Sequence, residues 1–153
     1  MEVKIVEFPE TRVAAAEHSG APNLEYETSK KLIAWRLQQG LSPAKHQTFG
    51  VHYTDPYQVA PEDHRVDFCV SYDNPVEANP WGIVSKLIPA RRCAVARHLG
   101  SRAHNTAVVY LYREWLPSSG EALGDFPPFF HYVNVGPQVQ EHEMITDVYM
   151  PLK

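Results

Sequence analysis

Cysteine is scarce in this 153-residue chain, and its two residues, Cys69 and Cys93, cannot build a disulfide scaffold or a structural zinc site. Each lies in an apolar run, Phe68-Cys69-Val70 and Cys93-Ala94-Val95, so buried free thiols are expected. Long apolar runs are missing too. No stretch is long and apolar enough for a membrane span, and Met1-Glu2-Val3-Lys4 opens no signal-peptide core. A cytoplasmic protein with no membrane partner is the expectation. Positive charge is not in excess: the net charge of −4 argues against direct nucleic-acid binding, because phosphate contacts need a positive surface. One basic run, Arg91-Arg92 with Arg97 and Arg102, reads as a solvated strand edge. There is no glycine-rich phosphate loop and no Ser-His-Asp motif. The histidine pairs His46/His52, His98/His104 and His131/His142 lack close-set ligand spacing, so no metal and no cofactor is expected.

What is present is an ordinary globular composition, 44% hydrophobic and 21% charged, rich in aromatics at 11%. The length suits one domain able to bury a core unaided. Within it the chain repeats itself. Shifted by 80 residues, Arg12–Gly20 aligns with Arg92–Gly100, Trp35 with Trp115 and Gly40 with Gly120. In the same register Phe49 meets Phe129, Gln58-Val59 meets Gln138-Val139, and Asp67 meets Asp147. The expected organisation is a single domain over 1–153, with one repeat at about 3–73, a linker at 73–82 and a second repeat at about 83–153.

Each repeat has one secondary-structure reading. In the first, Val3–Phe8 and Thr11–His18 read as strand segments split by Pro9, followed by a helix from Asn23 to Gln39 that Gly40 stops. Gln47–Tyr53 and Arg65–Tyr72 complete it as strands. In the second, Ile83–Ile88, Cys93–His98, Phe129–Asn134 and Met144–Met150 are strands, and a helix near Ala103–Leu116 is expected to end at Pro117. The fold class is therefore α+β: two pseudo-twofold-related βαββ-type repeats forming antiparallel sheet with helices. A central groove is expected at their junction, where small-molecule pockets tend to form.

The order and spacing of several segments resemble the GyrI-like family, small-molecule-binding domains also found attached to AraC- and MerR-type regulators. The resemblance runs from about Val3 to Lys153. It is carried by Leu32-Ile-Ala-Trp35 with Gly40-Leu41, Gly50-Val-His-Tyr-Thr-Asp-Pro56, Pro61-Glu62 and Arg65-Val-Asp-Phe-Cys-Val70. The second half adds Glu114-Trp-Leu-Pro-Ser-Ser-Gly120, Pro128-Phe-Phe-His-Tyr-Val-Asn134 and Thr146-Asp-Val-Tyr-Met-Pro-Leu152. The resemblance implies a shared groove that accepts aromatic, often cationic compounds, faced in the best-known regulators by a glutamate on the penultimate strand. Where relatives read Pro-Phe-Glu-x-Tyr, this chain has Pro128-Phe129-Phe130-His131-Tyr132. Phe130 at the glutamate position turns the expected ligand toward a neutral, planar aromatic. The turns Gly20-Ala-Pro22 and Gly100-Ser-Arg102 also depart from the Gly-Pro-Tyr common among relatives. No DNA-binding segment flanks the domain, so a stand-alone effector-binding module is expected.

Strand alternation puts Phe130 and Tyr132 on one face and Phe129, His131 and Val133 on the other. If the family's ligand-facing position carries over, Phe130 and Tyr132 line the site, and their repeat mates Gly50 and His52 face it. Trp35 and Trp115 hold equivalent places near the helix ends, and Tyr112 shares the Trp115 face. Glu114 is the remaining acidic candidate, a carboxylate at the groove mouth or, in an enzyme, the general base. The repeat-matched His18 and His98 read as turn residues, and Asp67 and Asp147 as structural acceptors of backbone amides.

Three functions compete on this reading. The first is a module binding a small aromatic or hydrophobic ligand. The second is a hydrolase of reactive genotoxic small molecules, as implied by stand-alone family members. The third is an interaction module with a protein partner, a regulator or DNA gyrase, whose inhibition gave the family its name.

Overall fold

Pro9 interrupts the first extended run, and the structure uses that break to send the two halves of the run to different places. The computed structural model describes every residue, Met1–Lys153. Its contacts divide the chain into two units: Met1–Glu10 with Pro89–Lys153, and Thr11–Ile88. The units do not follow the sequence repeats. The strand opening each repeat pairs with the second strand of the other repeat.

In the first unit, β1 (Val3–Phe8) is completed by β6 (Arg91–Leu99), β7 (Phe129–Tyr132) and β8 (Ile145–Pro151). The four run antiparallel in the order β1-β6-β8-β7, with Ile5 opposite Ala94, Ala96 opposite Val148, and Phe130 opposite Val148. In the second unit, β2 (Thr11–Ser19), β3 (Thr48–His52), β4 (Arg65–Ser71) and β5 (Val84–Ile88) run in the order β3-β4-β2-β5. Ala14 stands opposite both Val70 and Ser85. The α+β class and antiparallel pairing read from the sequence are what the chain adopts.

One helix covers each unit. In the second, α1 (Glu25–Gln39) ends where Gly40 takes a left-handed conformation at φ 70°, and the Leu41 amide returns to the Arg36 carbonyl. Leu32 and Trp35 bury against Ala14, Ala16, Val70 and Ile83. The linker 73–82 is not a loose tether: Val76 and Trp81 join this core. The Asn79 side chain accepts from the Trp81 and Ile83 amides and donates to the Glu77 and Ile83 carbonyls, which fixes the turn.

The helix of the first unit is less regular. An α segment, α2 (Thr106–Tyr110), passes into a π segment at Leu111–Trp115 and closes as α3 (Leu116–Ser119). Pro117 does not end the helix as expected. It lies within the helix directly after the π segment, and Gly120 at φ 77° makes the stop instead. The π geometry absorbs a one-residue mismatch between the repeats. By the offset Leu32 corresponds to Tyr112, but the side chain buried at 0% exposure is Leu111. The wider turn takes up the extra residue, shown by the Leu116 amide bonding the Leu111 carbonyl, and Trp115 and Gly120 regain register with Trp35 and Gly40.

The repeat-matched histidines anchor both helices to their strands. His18 Nε2 donates to the Gly20 and Ala21 carbonyls at 3.1 and 3.0 Å, while Nδ1 meets Thr28 Oγ1 at 2.7 Å. His98 repeats this with the Ser101 carbonyl at 2.8 Å and Thr106 Oγ1 at 3.1 Å, so the turn role expected of both is the one they fill. Asp67 and Asp147 differ from expectation: they take side-chain partners rather than backbone amides. Asp67 accepts from Tyr53 and Lys86, and Asp147 binds Arg97 through two oxygens. Both cysteines are free and buried, as the apolar runs around them predict.

Leu111 packs among Ala94, Ala96, Ala107, Val148 and Met150 with no solvent exposure. Leu111→Ala is therefore expected to lower stability by about 2–5 kcal/mol, read as a fall in the urea midpoint. A loss below about 1 kcal/mol would mean the π segment is not packed as described.

Candidate functional site

The alanines at the centre of β6 set what the first unit's helix can cover. Ala94, Ala96 and the helical Ala107 are fully or almost fully buried, and the helix rests on β6 and, next to it, β8. The large side chains of β7 lie at the far side of that strip. Phe130 and Tyr132 point to the helix side of the sheet and stay half-buried, their ring centroids 6.5 Å apart in an edge-to-face arrangement. Phe130, Tyr112 and Trp115 all pack at the margin of the core formed by Leu111, Val148 and Met150. Tyr112 and Trp115 of the π segment and Phe130 of β7 thus border one core, and Tyr132 meets Phe130 edge-on.

The opposite face of the same strand is different in kind. Phe129 is fully buried and stacks on Tyr149 at 4.9 Å with ring planes 4° apart; Phe8 meets its edge at 4.8 Å and Phe126 at 6.2 Å. Alternation along β7 therefore separates a closed aromatic core at Phe129 from the partly exposed rings of Phe130 and Tyr132.

Polar groups at this surface are few. Burial pushes the Tyr112 hydroxyl up to about 12, so it stays protonated across the physiological range. Arg102 lies over the Tyr132 ring with its guanidinium carbon 5.1 Å from the centroid. Its Nε donates to Thr146 Oγ1 at 3.2 Å, and Nη2 donates to the Asn134 and Ile145 carbonyls at 2.9 and 3.2 Å. Contrary to the expected solvated edge, Arg102 is half-buried and tied to Thr146, Asn134 and Ile145, and no local motif in the sequence marks it.

Glu114 does not belong to the group. Its side chain is exposed on the outer side of the π segment, one residue short of the inward-facing Trp115. Trp35 is corrected as well. At 2% exposure, with its ring against Tyr72 at 5.1 Å and 90°, it is a core anchor of the second unit. The tryptophans match in sequence but differ in burial, Trp115 being half-buried where Trp35 is closed off. Gly50 and His52 lie on the helix side of β3, opposite Phe68 and Val66. Burial, and secondarily the charge of His64, push the His52 imidazole down to about 4.

Two crevices lie elsewhere. One of about 450 Å³ in the second unit is bordered by Trp35, Tyr72, Asn74 and Glu77; one of about 400 Å³ in the first is bordered by Arg91, Asp125 and Lys153. Neither includes the β7 aromatics. Partly exposed apolar rings mark a further place where a ligand gains by leaving water.

A duplicated strand–helix–strand pattern with a half-open aromatic surface defines a small α+β ligand-binding fold. The family model for the GyrI-like small molecule binding domain matches residues 1–153, and the chain belongs to that family. It is 40% identical over 154 residues to a probable transcriptional regulator, YgiV, of Escherichia coli (strain K12), covering 99% of this chain and 96% of that protein. It is 27% identical over 160 residues to a DNA gyrase inhibitor of Erwinia billingiae (strain Eb661), covering 99% and 97%. Among solved structures, the EcmrR C-terminal domain superposes with a TM-score of 0.77 at 19% identity, covering 99% of this chain and 97% of that one. SAV2435 bound to tetraphenylphosphonium superposes at 0.58 with 11% identity, covering 100% and 94%. No helix of this chain is long and apolar enough to cross a membrane.

The depressed His52 gives a signed pH dependence. An unfolded histidine takes up its proton near 6.5, whereas the folded one resists until about 4, so the stabilisation is complete above about 6.5 and is lost as pH falls toward 4. Stability relative to His52→Gln is expected to drop by up to about 3 kcal/mol across that window, measured by urea titration at several pH values. A constant difference between the two proteins would contradict the burial of His52.

Proposed function

We propose that this GyrI-like domain binds small aromatic molecules on the surface formed by Phe130, Tyr132, Tyr112 and Trp115. The observation carrying this reading is the pair Phe130 and Tyr132: large rings left half-buried beside a core whose centre, Leu111, Val148 and Met150, is closed. Covering such rings with a flat ligand removes apolar area from both partners, and ring–ring contact adds about 0.5–1.5 kcal/mol beyond burial. The Tyr112 hydroxyl supplies a polar handle. Effector binding by a module serving a regulator suits the likeness to YgiV.

The hydrolase reading loses support from Glu114. A general base needs partial burial to raise its proton affinity and a reactant within hydrogen-bond reach, and an exposed carboxylate has neither. Binding to DNA gyrase is a second reading favoured by one observation, the likeness to the Erwinia billingiae inhibitor. A supercoiling assay at physiological salt tests it, and unchanged gyrase activity at saturating protein rejects it.

Titration with 2-naphthamide, followed by calorimetry, tests the binding reading. Phe130→Ala is expected to weaken binding about tenfold, corresponding to about 1.4 kcal/mol, while Glu114→Gln changes it less than twofold. Equal affinity of the Phe130→Ala and wild-type proteins would place the ligand elsewhere.

A further inference from the structure

Four arginines make up the basic run of the second repeat, and three of them are neutralised. Arg91 pairs with Asp125 at 3.0 Å, Arg92 with Glu121 through two bonds at 2.7 and 2.9 Å, and Arg97 with Asp147 at 2.7 and 3.0 Å. Arg102 has no carboxylate. Its acceptors are the hydroxyl of Thr146, the carbonyls of Asn134 and Ile145 and, more distantly, Asn134 Oδ1 at 3.4 Å, all uncharged. These bonds occupy Nε and Nη2 and fix the plane of the guanidinium, while Nη1 donates to no protein group. Burial disfavours the charge of Arg102, and the adjacent Tyr132 ring does not cancel it. A half-buried cation held in place without a counter-ion is an electrostatic cost, recoverable when an anion arrives.

Arg102 is also next in line to the aromatic surface, over Tyr132, whose ring is in edge contact with Phe130. The repeat does not require it, since its mate at the 80-residue offset is Pro22. The acidic candidate Glu114 is turned to solvent. Uncompensated charge at this end of the surface is therefore positive.

We propose that Arg102 makes this surface select anionic aromatic ligands, of the aromatic carboxylate class, with the ring on Phe130 and Tyr132 and the carboxylate on the free edge of the guanidinium. The proposal rests on the reading that these rings form the binding surface. It reverses the charge preference implied by the family resemblance and sharpens the expectation of a neutral ligand, because the phenyl at position 130 removes one sign of charge while Arg102 supplies the other.

Calorimetric titration with 2-naphthoate, 2-naphthamide and 2-naphthyltrimethylammonium is the test. Wild-type protein should bind the carboxylate at least tenfold more tightly than the amide, and the trimethylammonium compound most weakly of the three. Raising the salt concentration should erode the carboxylate advantage. Arg102→Gln should abolish that advantage with amide affinity within twofold of wild type, and Arg102→Lys should restore part of it. Equal or tighter binding of the trimethylammonium compound, or an unchanged carboxylate-to-amide ratio in Arg102→Gln, overturns the proposal. Should Arg102→Gln fail to fold, the wild-type ranking with its salt dependence and Arg102→Lys decide on the same criteria. Phe130→Ala separates the two layers. If it weakens all three ligands while the ranking shows no anion preference, the charge assignment fails and the surface stands. If it weakens none, or no ligand binds, the surface itself is wrong and the proposal falls with it.

Discussion

Close packing of one helix onto an alanine-centred pair of strands is the constraint from which the rest follows. Small side chains at Ala94, Ala96 and Ala107 let the first unit's helix lie near the sheet, so that Leu111 fills the remaining space. Ala14 and Ala16 serve Leu32 and Trp35 in the second unit in the same way. A helix brought that close covers a narrow strip. Bulky residues beyond the strip are then only partly covered, and in the first unit those residues are Phe130 and Tyr132. The aromatic surface is thus the consequence of how the core is closed.

Duplication gave two copies of this arrangement, and the copies have diverged in ways that matter chemically. Where the first repeat has Pro22, Gly50 and His52, the second has Arg102, Phe130 and Tyr132. The regular helix of one becomes the π-containing helix of the other, and the equivalent tryptophan moves from the closed core to its margin. Features retained in both copies, such as His18 and His98 or Gly40 and Gly120, serve the turns and helix ends that any such unit needs. Arg102, Phe130 and Tyr132, found once, lie together at the surface.

The fold was legible because its signals are local and repeated: alternating strands, a glycine stop after the first helix, and a common register. The two faces of β7 were readable from alternation alone. The exchange of opening strands was not, since β1 and β5 carry no residue that names the partner strand, and pairing is decided by non-local burial. The exposure of Glu114 could not be decided from the sequence for a similar reason. A one-residue widening at Leu111–Trp115 rotates the helix face, and no simple periodicity reveals it. Arg102 is not marked in the sequence because its distinction is what it lacks, a carboxylate, where Arg91, Arg92 and Arg97 each have one.

Phe130, Tyr132 and Arg102 meet at one place on the molecule, the helix side of β7. A crystal structure of the protein with 2-naphthoate tests that placement directly. The account predicts the naphthyl ring in van der Waals contact with Phe130 and Tyr132 and its carboxylate within hydrogen-bond distance of Arg102 Nη1. A ligand lodged instead in the crevice beside Trp35 and Tyr72, or in the one beside Arg91 and Lys153, with the β7 aromatics bare, would contradict it.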